Sequence, residues 1–210
     1  MVGYNRRFAP LAKSQKAFFA DVHEPLSVHY RANSGFIPRN HWTQDPAQGG
    51  GRIIGEACHF VDFAGWLIGQ TPVSVEALAL PDGGRYCQDN VVITLRYSNG
   101  SLAVITYLAN GDRTLGKERV EVHGGGCSAV LDDFRRLELV KGGRHSVKRS
   151  WLRQDKGHRG ECEAFIRAVQ KGGPPPIPFR EIVASTRATF AAVESLRQGI
   201  PMEVHLDDVR

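Results

Sequence analysis

A glycine run in the chain is followed by an acid, an imidazole and a second acid, which are residue types that can transfer protons. The run Gly49–Gly51 is followed by Glu56, His59 and Asp62, spaced three apart. At 100° per residue, their side chains fall along one flank of a helix over 52–68. A buried ionisable group is costly unless it is paired. The spacing therefore predicts a site in which a carboxylate fixes the tautomer of the histidine and raises its basicity.

Each of these three residues also has a plainer interpretation. A single histidine on a helix is often structural, and an acid in the first turn is favoured by the helix dipole. Asp62 could be an exposed helix acid. We predict that His59 is a catalytic acid/base, that Glu56 orients it, and that Asp62 contacts a substrate. Cys58 belongs to the core-facing stripe of the helix, which argues against a nucleophilic cysteine.

The long segment before this helix supplies further candidates for binding. The loop 33–51 contains large aromatic residues, which indicates a segment that covers a ligand or a partner rather than a linker. A strand over 26–32 precedes it. We predict that a substrate pocket is lined by residues from this strand and loop, namely Arg31, Asn33, His41 and Trp42.

Composition excludes several classes of protein. The chain has 27 basic and 22 acidic residues, a net charge of +5, and 41% hydrophobic residues, as in an ordinary globular protein. The basic stretch 144–159 lacks a nucleic-acid-binding motif and is interpreted as a solvated hairpin and loop. The four cysteines form no CxxC pair, and the sequence shows neither a signal peptide nor an apolar run of about 20 residues. We predict a cytoplasmic protein that binds neither membrane nor nucleic acid.

Hydrophobic periodicity predicts an α+β fold. Between 72 and 150 the apolar residues alternate and are separated by short turns, which is typical of antiparallel strands. Helical spacing returns after Gly157. Such an order predicts one domain with an antiparallel sheet and helices on one face, and the other face is free to pair with a second subunit. The expected elements are a helix over 7–20, a strand over 26–32, the helix over 52–68, strands within 72–150, and helices within 157–172 and 180–197.

Neither a cofactor site nor a metal site is predicted within this chain. The segment Gly124–Ala129 matches a loose dinucleotide-binding pattern, but residues 130–133 after it are typical of a strand or turn, so a hairpin turn is the better interpretation. His158 and Cys162, or Cys58 and His59, do not form a four-ligand set with the spacing of a zinc site.

The segment 49–62 resembles the substrate-side helix of the glucose–fructose oxidoreductase/inositol dehydrogenase/MocA (Gfo/Idh/MocA) family of NAD(P)-dependent sugar dehydrogenases. Val2–Pro10 resembles the segment by which that family enters its C-terminal domain, and 163–172 and 195–201 resemble its closing helix pair. The resemblance covers essentially the whole chain but only the family's C-terminal half. It is nearest to the group in which such a half is fused to a zinc-type alcohol dehydrogenase module.

This resemblance implies an open, mainly antiparallel sheet with helices on one face, used for substrate binding and for sheet-to-sheet association. It implies one domain over 1–210, with an entry segment 2–20, a sheet within 26–150 and a closing helix pair within 157–210. In the family a separate N-terminal domain binds NAD(P) and supplies a catalytic Lys, so that domain is expected in cis or in trans. Many members carry an Asp four residues before the histidine, where this chain has Gly55.

Two functions are compatible with the sequence. In the first, the chain is the substrate-binding half of an NAD(P)-dependent sugar or polyol dehydrogenase and cannot turn over alone, with His59 acting on the substrate hydroxyl. In the alternative, it is a stand-alone, non-catalytic sugar-binding or oligomerisation module. The second interpretation is motivated by Met1, which stands immediately before the expected domain boundary.

Overall fold

The protein folds around one large sheet flanked by four α-helices. The computed structural model describes residues 1–151 and 153–209, and in it nine strands are ordered β8-β7-β6-β5-β1-β4-β3-β2-β9. The strands are β1 (Ser27–Asn33), β2 (Pro72–Ala79), β3 (Asn90–Tyr97), β4 (Leu102–Leu108), β5 (Glu118–Gly124), β6 (Cys127–Asp132), β7 (Arg136–Lys141), β8 (Arg144–Arg149) and β9 (Met202–Glu203). The helices are α1 (Pro10–Phe18), α2 (Cys58–Ile68), α3 (His158–Lys171) and α4 (Phe179–Gln198).

The sheet is two antiparallel meanders joined by β1. Strands β2 to β4 form one meander and β5 to β8 the other, and β1 lies between them, parallel to β4 and antiparallel to β5. The predicted α+β fold with a mainly antiparallel sheet is confirmed. The turn between β5 and β6 contains Gly125 and Gly126, both with positive φ, so the loose dinucleotide pattern there is a hairpin turn.

Helices α1, α2 and α4 cover one face of the sheet. Alternate strand residues enter a single core with these helices, and aromatic rings stack where α2 crosses β1 and β4. Tyr30 of β1 lies 4.6 Å, centroid to centroid, from Phe60 of α2, and Phe60 lies 6.0 Å from Tyr107 of β4. The opposite face has no covering helix among the described residues.

A short 3-10 turn at Asn5–Phe8 carries two buried arginines that tie the start of the chain to the core. The Arg6 guanidinium pairs with Glu118, with 2.6 Å between Nε and Oε2, and Tyr30 and Lys156 also donate to this carboxylate. Burial alone would raise the pKa of Glu118, but the guanidinium and the ammonium group outweigh it and hold the pKa at about 2. The carboxylate is therefore a permanent anion in the interior.

One expectation about the helices needs correction. The first helix spans 10–18 rather than 7–20, because Pro10 begins it and the preceding residues form the 3-10 turn. In α3, the apolar residues Phe165, Ile166 and Val169 lie on one face of the helix and are exposed to solvent. Within 1–151 and 153–209, none of the helices is both long and apolar enough to cross a bilayer.

Candidate functional site

A π-helical turn at Ile53–Ala57 connects the glycine run to α2. Gly50 and Gly51 adopt positive φ, and a Cβ at Gly49 would lie 2.4 Å from the Cα of Thr43, so the entry requires glycine. A π turn holds more residues than an α turn, so the 100° spacing fails across it. Glu56 therefore leaves the predicted common flank, whereas His59 and Asp62 lie three apart within α2 and both contact the start of the chain.

Glu56 is held as an anion by three donors. Arg52 Nη2 lies 2.9 Å from Oε2, the Tyr107 hydroxyl donates to the same oxygen at 2.5 Å, and the Lys117 ammonium pairs with Oε1. Burial by itself would raise the pKa of Glu56, but Lys117 first, then Tyr107 and Arg52, lower it to about 2. The hydrogen bonds of Glu56 do not include His59, so the predicted orienting contact is absent from the described contacts of this carboxylate.

Arg52, Tyr107 and Lys117 complete this cluster and were missed by the sequence analysis. Arg52 also donates to the carbonyl of Gly35 at 2.7 Å, and its guanidinium lies 5.2 Å from the centre of the Tyr107 ring. The i, i+4 spacing of Arg52 and Glu56 could have indicated one pair. Tyr107 belongs to β4 and Lys117 immediately precedes β5, and no local pattern identifies them.

Next to this cluster lies an open cavity of about 320 Å³. The loop residues Ile37 and Trp42 line one side, and Arg52 and Glu56 line another. Trp42 is 61% exposed, and the ring of His41 lies 5.9 Å from it and contacts Thr43. A flat apolar surface beside an ionised carboxylate and a guanidinium suits a ligand that has both C–H faces and hydroxyl groups.

His59 lies one turn after Glu56 and contacts the start of the chain. Its ring meets the ring of Tyr4 edge to face, with 5.6 Å between centroids, and its Nδ1 is buried without a hydrogen-bond partner among the described residues. Burial, followed by the charge of Arg6, lowers the pKa of His59 to about 4. At neutral pH the imidazole is therefore uncharged and can accept a proton.

Asp62 has a different role from the predicted one. It is only 1% exposed, and both of its oxygens accept hydrogen bonds from the Arg7 guanidinium, which also donates to Glu181. A carboxylate that is buried and fully used by an arginine is not available to a substrate. This placement argues against the predicted substrate contact.

Arg31 and Asn33 also lie apart from the cavity. Tyr30 faces α2, so its neighbour Arg31 points to the opposite face of the sheet, where Nη2 donates to the carbonyl of Gly116 at 3.1 Å. Asn33 Nδ2 donates to the carbonyl of Asp112 at 2.6 Å and thereby holds the loop that follows β4. Of the four predicted pocket residues, the structure brings only Trp42 to the cavity, with His41 beside it.

Comparison with known proteins relates this chain to a family of oxidoreductases. A family model described as "Oxidoreductase family, C-terminal alpha/beta domain" matches residues 21–204. Inositol 2-dehydrogenase of Rhizobium meliloti (strain 1021) is 27% identical over 215 residues, which cover 94% of this chain and 63% of that protein.

Solved structures share the fold over nearly the whole chain. A candidate myo-inositol dehydrogenase from Sinorhizobium meliloti 1021 is 25% identical and has a TM-score of 0.73, covering 98% of this chain and 65% of that one. An aldose-aldose oxidoreductase from Caulobacter crescentus, solved with glycerol, is 18% identical and has a TM-score of 0.80, covering 97% of this chain and 63% of that one. The chain thus spans just under two thirds of the length of these relatives.

The titration of His59 tests whether the Tyr4 ring produces its burial. We expect NMR to show a protonation midpoint near 4 rather than near the usual 6.5. Because the unfolded chain binds this proton below about pH 6.5 and the folded protein does not, the proton should destabilise the fold as pH falls from 6.5 to 4. Tyr4→Ala should raise the midpoint, whereas Tyr4→Phe, which keeps the ring, should leave it low. A wild-type midpoint near 6.5 would contradict the buried, neutral imidazole.

Proposed function

The chain belongs to the Gfo/Idh/MocA oxidoreductase family as a C-terminal alpha/beta domain, and we propose that it is the substrate-binding half of an NAD(P)-dependent sugar or polyol dehydrogenase. The observation that carries this proposal is the cavity lined by Trp42 and by the fixed Glu56 anion, which precedes a neutral histidine by one turn. The names of the relatives, which include an inositol dehydrogenase and an aldose-aldose oxidoreductase, support the substrate class.

Glu56 and His59 have complementary roles in this proposal. Glu56, with a pKa of about 2, stays ionised, and because its oxygens already accept from three donors we assign to it a hydrogen bond from a substrate hydroxyl rather than removal of the proton. His59 is uncharged at neutral pH and accepts the hydroxyl proton as the alcohol becomes a carbonyl. The two groups have pKa values set by different surroundings, a pattern that often separates catalytic roles.

A nucleotide-binding domain outside this chain is part of the proposal. The glycines between β5 and β6 form a hairpin turn and are not followed by the helix that would bind a pyrophosphate. The residues of this turn therefore do not fit a dinucleotide, and we assign to the chain the substrate and its proton. The hydride acceptor belongs to the nucleotide-binding domain, in cis or in trans.

A cytoplasmic location also remains a prediction, with which the four free cysteines are compatible.

Substrate binding by the chain can be measured without turnover. With myo-inositol as the probe, isothermal titration calorimetry should show a dissociation constant on the order of 1 mM or tighter. Trp42→Ala should weaken binding about tenfold, because the apolar face of the ligand loses its wall, and Glu56→Gln should weaken it by a similar factor. Trp151→Ala is the matched control, since Trp151 is 82% exposed and lies outside the cavity. Equal affinities for the two tryptophan variants would contradict the assignment of the cavity.

The role of His59 requires the enzyme assembled with its nucleotide-binding domain. His59→Asn should lower kcat about 100-fold or more, because the hydroxyl proton loses its acceptor, and should change KM little. His41→Asn is the control, since His41 lies beside the cavity and its ring Nδ1 bonds to Thr43, two residues further along the loop. If the His59 variant kept full activity, the proposed acid/base role would be wrong.

The open face of the sheet is the proposed contact with a second copy of the chain. Alternate strand residues on this face expose apolar side chains, among them Leu78, Val92 and Leu102. An exposed apolar sheet face is typical of an association surface. Sedimentation velocity should therefore show a dimer that Leu102→Asp converts to monomer, while the matched variant Leu115→Asp, in a loop, leaves it intact. A wild-type monomer at micromolar concentration would contradict this contact.

A further inference from the structure

Helix α3 presents its large apolar residues to solvent. Cys162, Phe165, Ile166 and Val169 follow the i, i+3, i+4, i+7 spacing of one helix face, and all four are exposed, the last three by 42%, 52% and 66%. A continuous apolar stripe of this kind on a surface helix marks a contact with another surface. We call Cys162, Phe165, Ile166 and Val169 the α3 stripe.

The other side of α3 is fixed by close packing, so the helix cannot rotate to bury the stripe. A Cβ at Gly157 would lie 2.2 Å from the carbonyl oxygen of Asn5, and a Cβ at Gly160 would lie 3.2 Å from that of Phe8. Only glycine permits the backbone of α3 to approach the 3-10 turn this closely. The exposed orientation of the α3 stripe is therefore a built feature of the fold.

The first residues of the chain lie beside the same helix. A Cβ at Gly3 would lie 4.0 Å from Oε1 of Glu161, in the first turn of α3, and Met1 and Val2 are exposed. Glu161 is only 7% exposed, yet its Oε1 has no hydrogen-bond partner among residues 1–151 and 153–209. A buried carboxyl oxygen without a partner is costly, and a hydrogen-bond donor from another surface would satisfy it.

We infer that the α3 stripe is the docking surface for the nucleotide-binding domain, and that Glu161 receives a donor from that domain. This inference rests on the proposed function. The matched family model describes a C-terminal domain, and the relatives are about half as long again as the part that this chain matches. A domain that preceded this one in the same polypeptide would join it next to Gly3. Gly3 lies beside the first turn of α3, where the α3 stripe begins.

Cys162 allows the docking to be measured through its thiol. The native protein, isolated with whatever nucleotide-binding domain is joined or bound to it, is treated with a maleimide, and labelling at Cys162 is followed by peptide mass spectrometry. We expect labelling to be slower in the assembly than in the 210-residue chain by about tenfold or more, because docking covers the thiol. Ile166→Glu should abolish this difference. Ile200→Glu should retain it, since Ile200 is 51% exposed, close to the 52% of Ile166, but lies between α4 and the edge strand β9 rather than on α3.

The outcomes of this experiment test the docking surface and the proposed function separately. Equal labelling rates in the assembly and the chain would overturn the docking surface, even if the assembly turned over substrate. A native protein with no nucleotide-binding domain would overturn it as well, and calorimetry with myo-inositol would still test substrate binding by the chain. Protection of Cys162 without polyol binding would uphold the docking surface and remove the proposed function.

Discussion

Two buried ion pairs at the start of the chain hold the molecule together around its candidate site. Arg6 bonds to Glu118 at the beginning of β5, and Arg7 bonds to Asp62 in the middle of α2. Removing one partner of such a pair leaves an uncompensated buried charge, which costs about 3–5 kcal/mol. These pairs fix the 3-10 turn between α2, the sheet and α3. The position of every group that touches this turn depends on them.

The chemistry of His59 follows from this constraint. Because the turn is held in place, the Tyr4 ring covers the imidazole and Arg6 places a positive charge near it, and both effects favour the neutral form. The Glu56 cluster is held independently, by donors from the residue before the π turn, from β4 and from the residue before β5. The fold thus produces a permanent anion and a neutral base within one turn of helix, and neither depends on a direct bond to the other.

The sequence predicted the elements well because their signals are local. Alternation predicted the strands, and the glycine run together with Gly69, which has φ of 77°, bounded the helix. The sequence analysis failed for side chains whose bonding partners are distant in the sequence. Asp62 looked like a site residue because Arg7, 55 positions away, was not recognised as its partner. Arg31 was misplaced because alternation defines two strand faces without showing which one the helices cover.

The exposed stripe of α3 shows a further limit of pattern analysis. An amphipathic pattern indicates which face of a helix is apolar. The surface that buries that face need not belong to the same chain. Fully burying three side chains such as Phe165, Ile166 and Val169 stabilises a protein by about 5 kcal/mol, and the isolated chain forgoes a large part of this because each is more than two fifths exposed. Packing through glycine on the turn that the two ion pairs hold makes the stripe rigid. A rigid apolar surface loses little conformational entropy on binding, so in the proposed docking the two ion pairs would also lower the entropic cost of binding at α3.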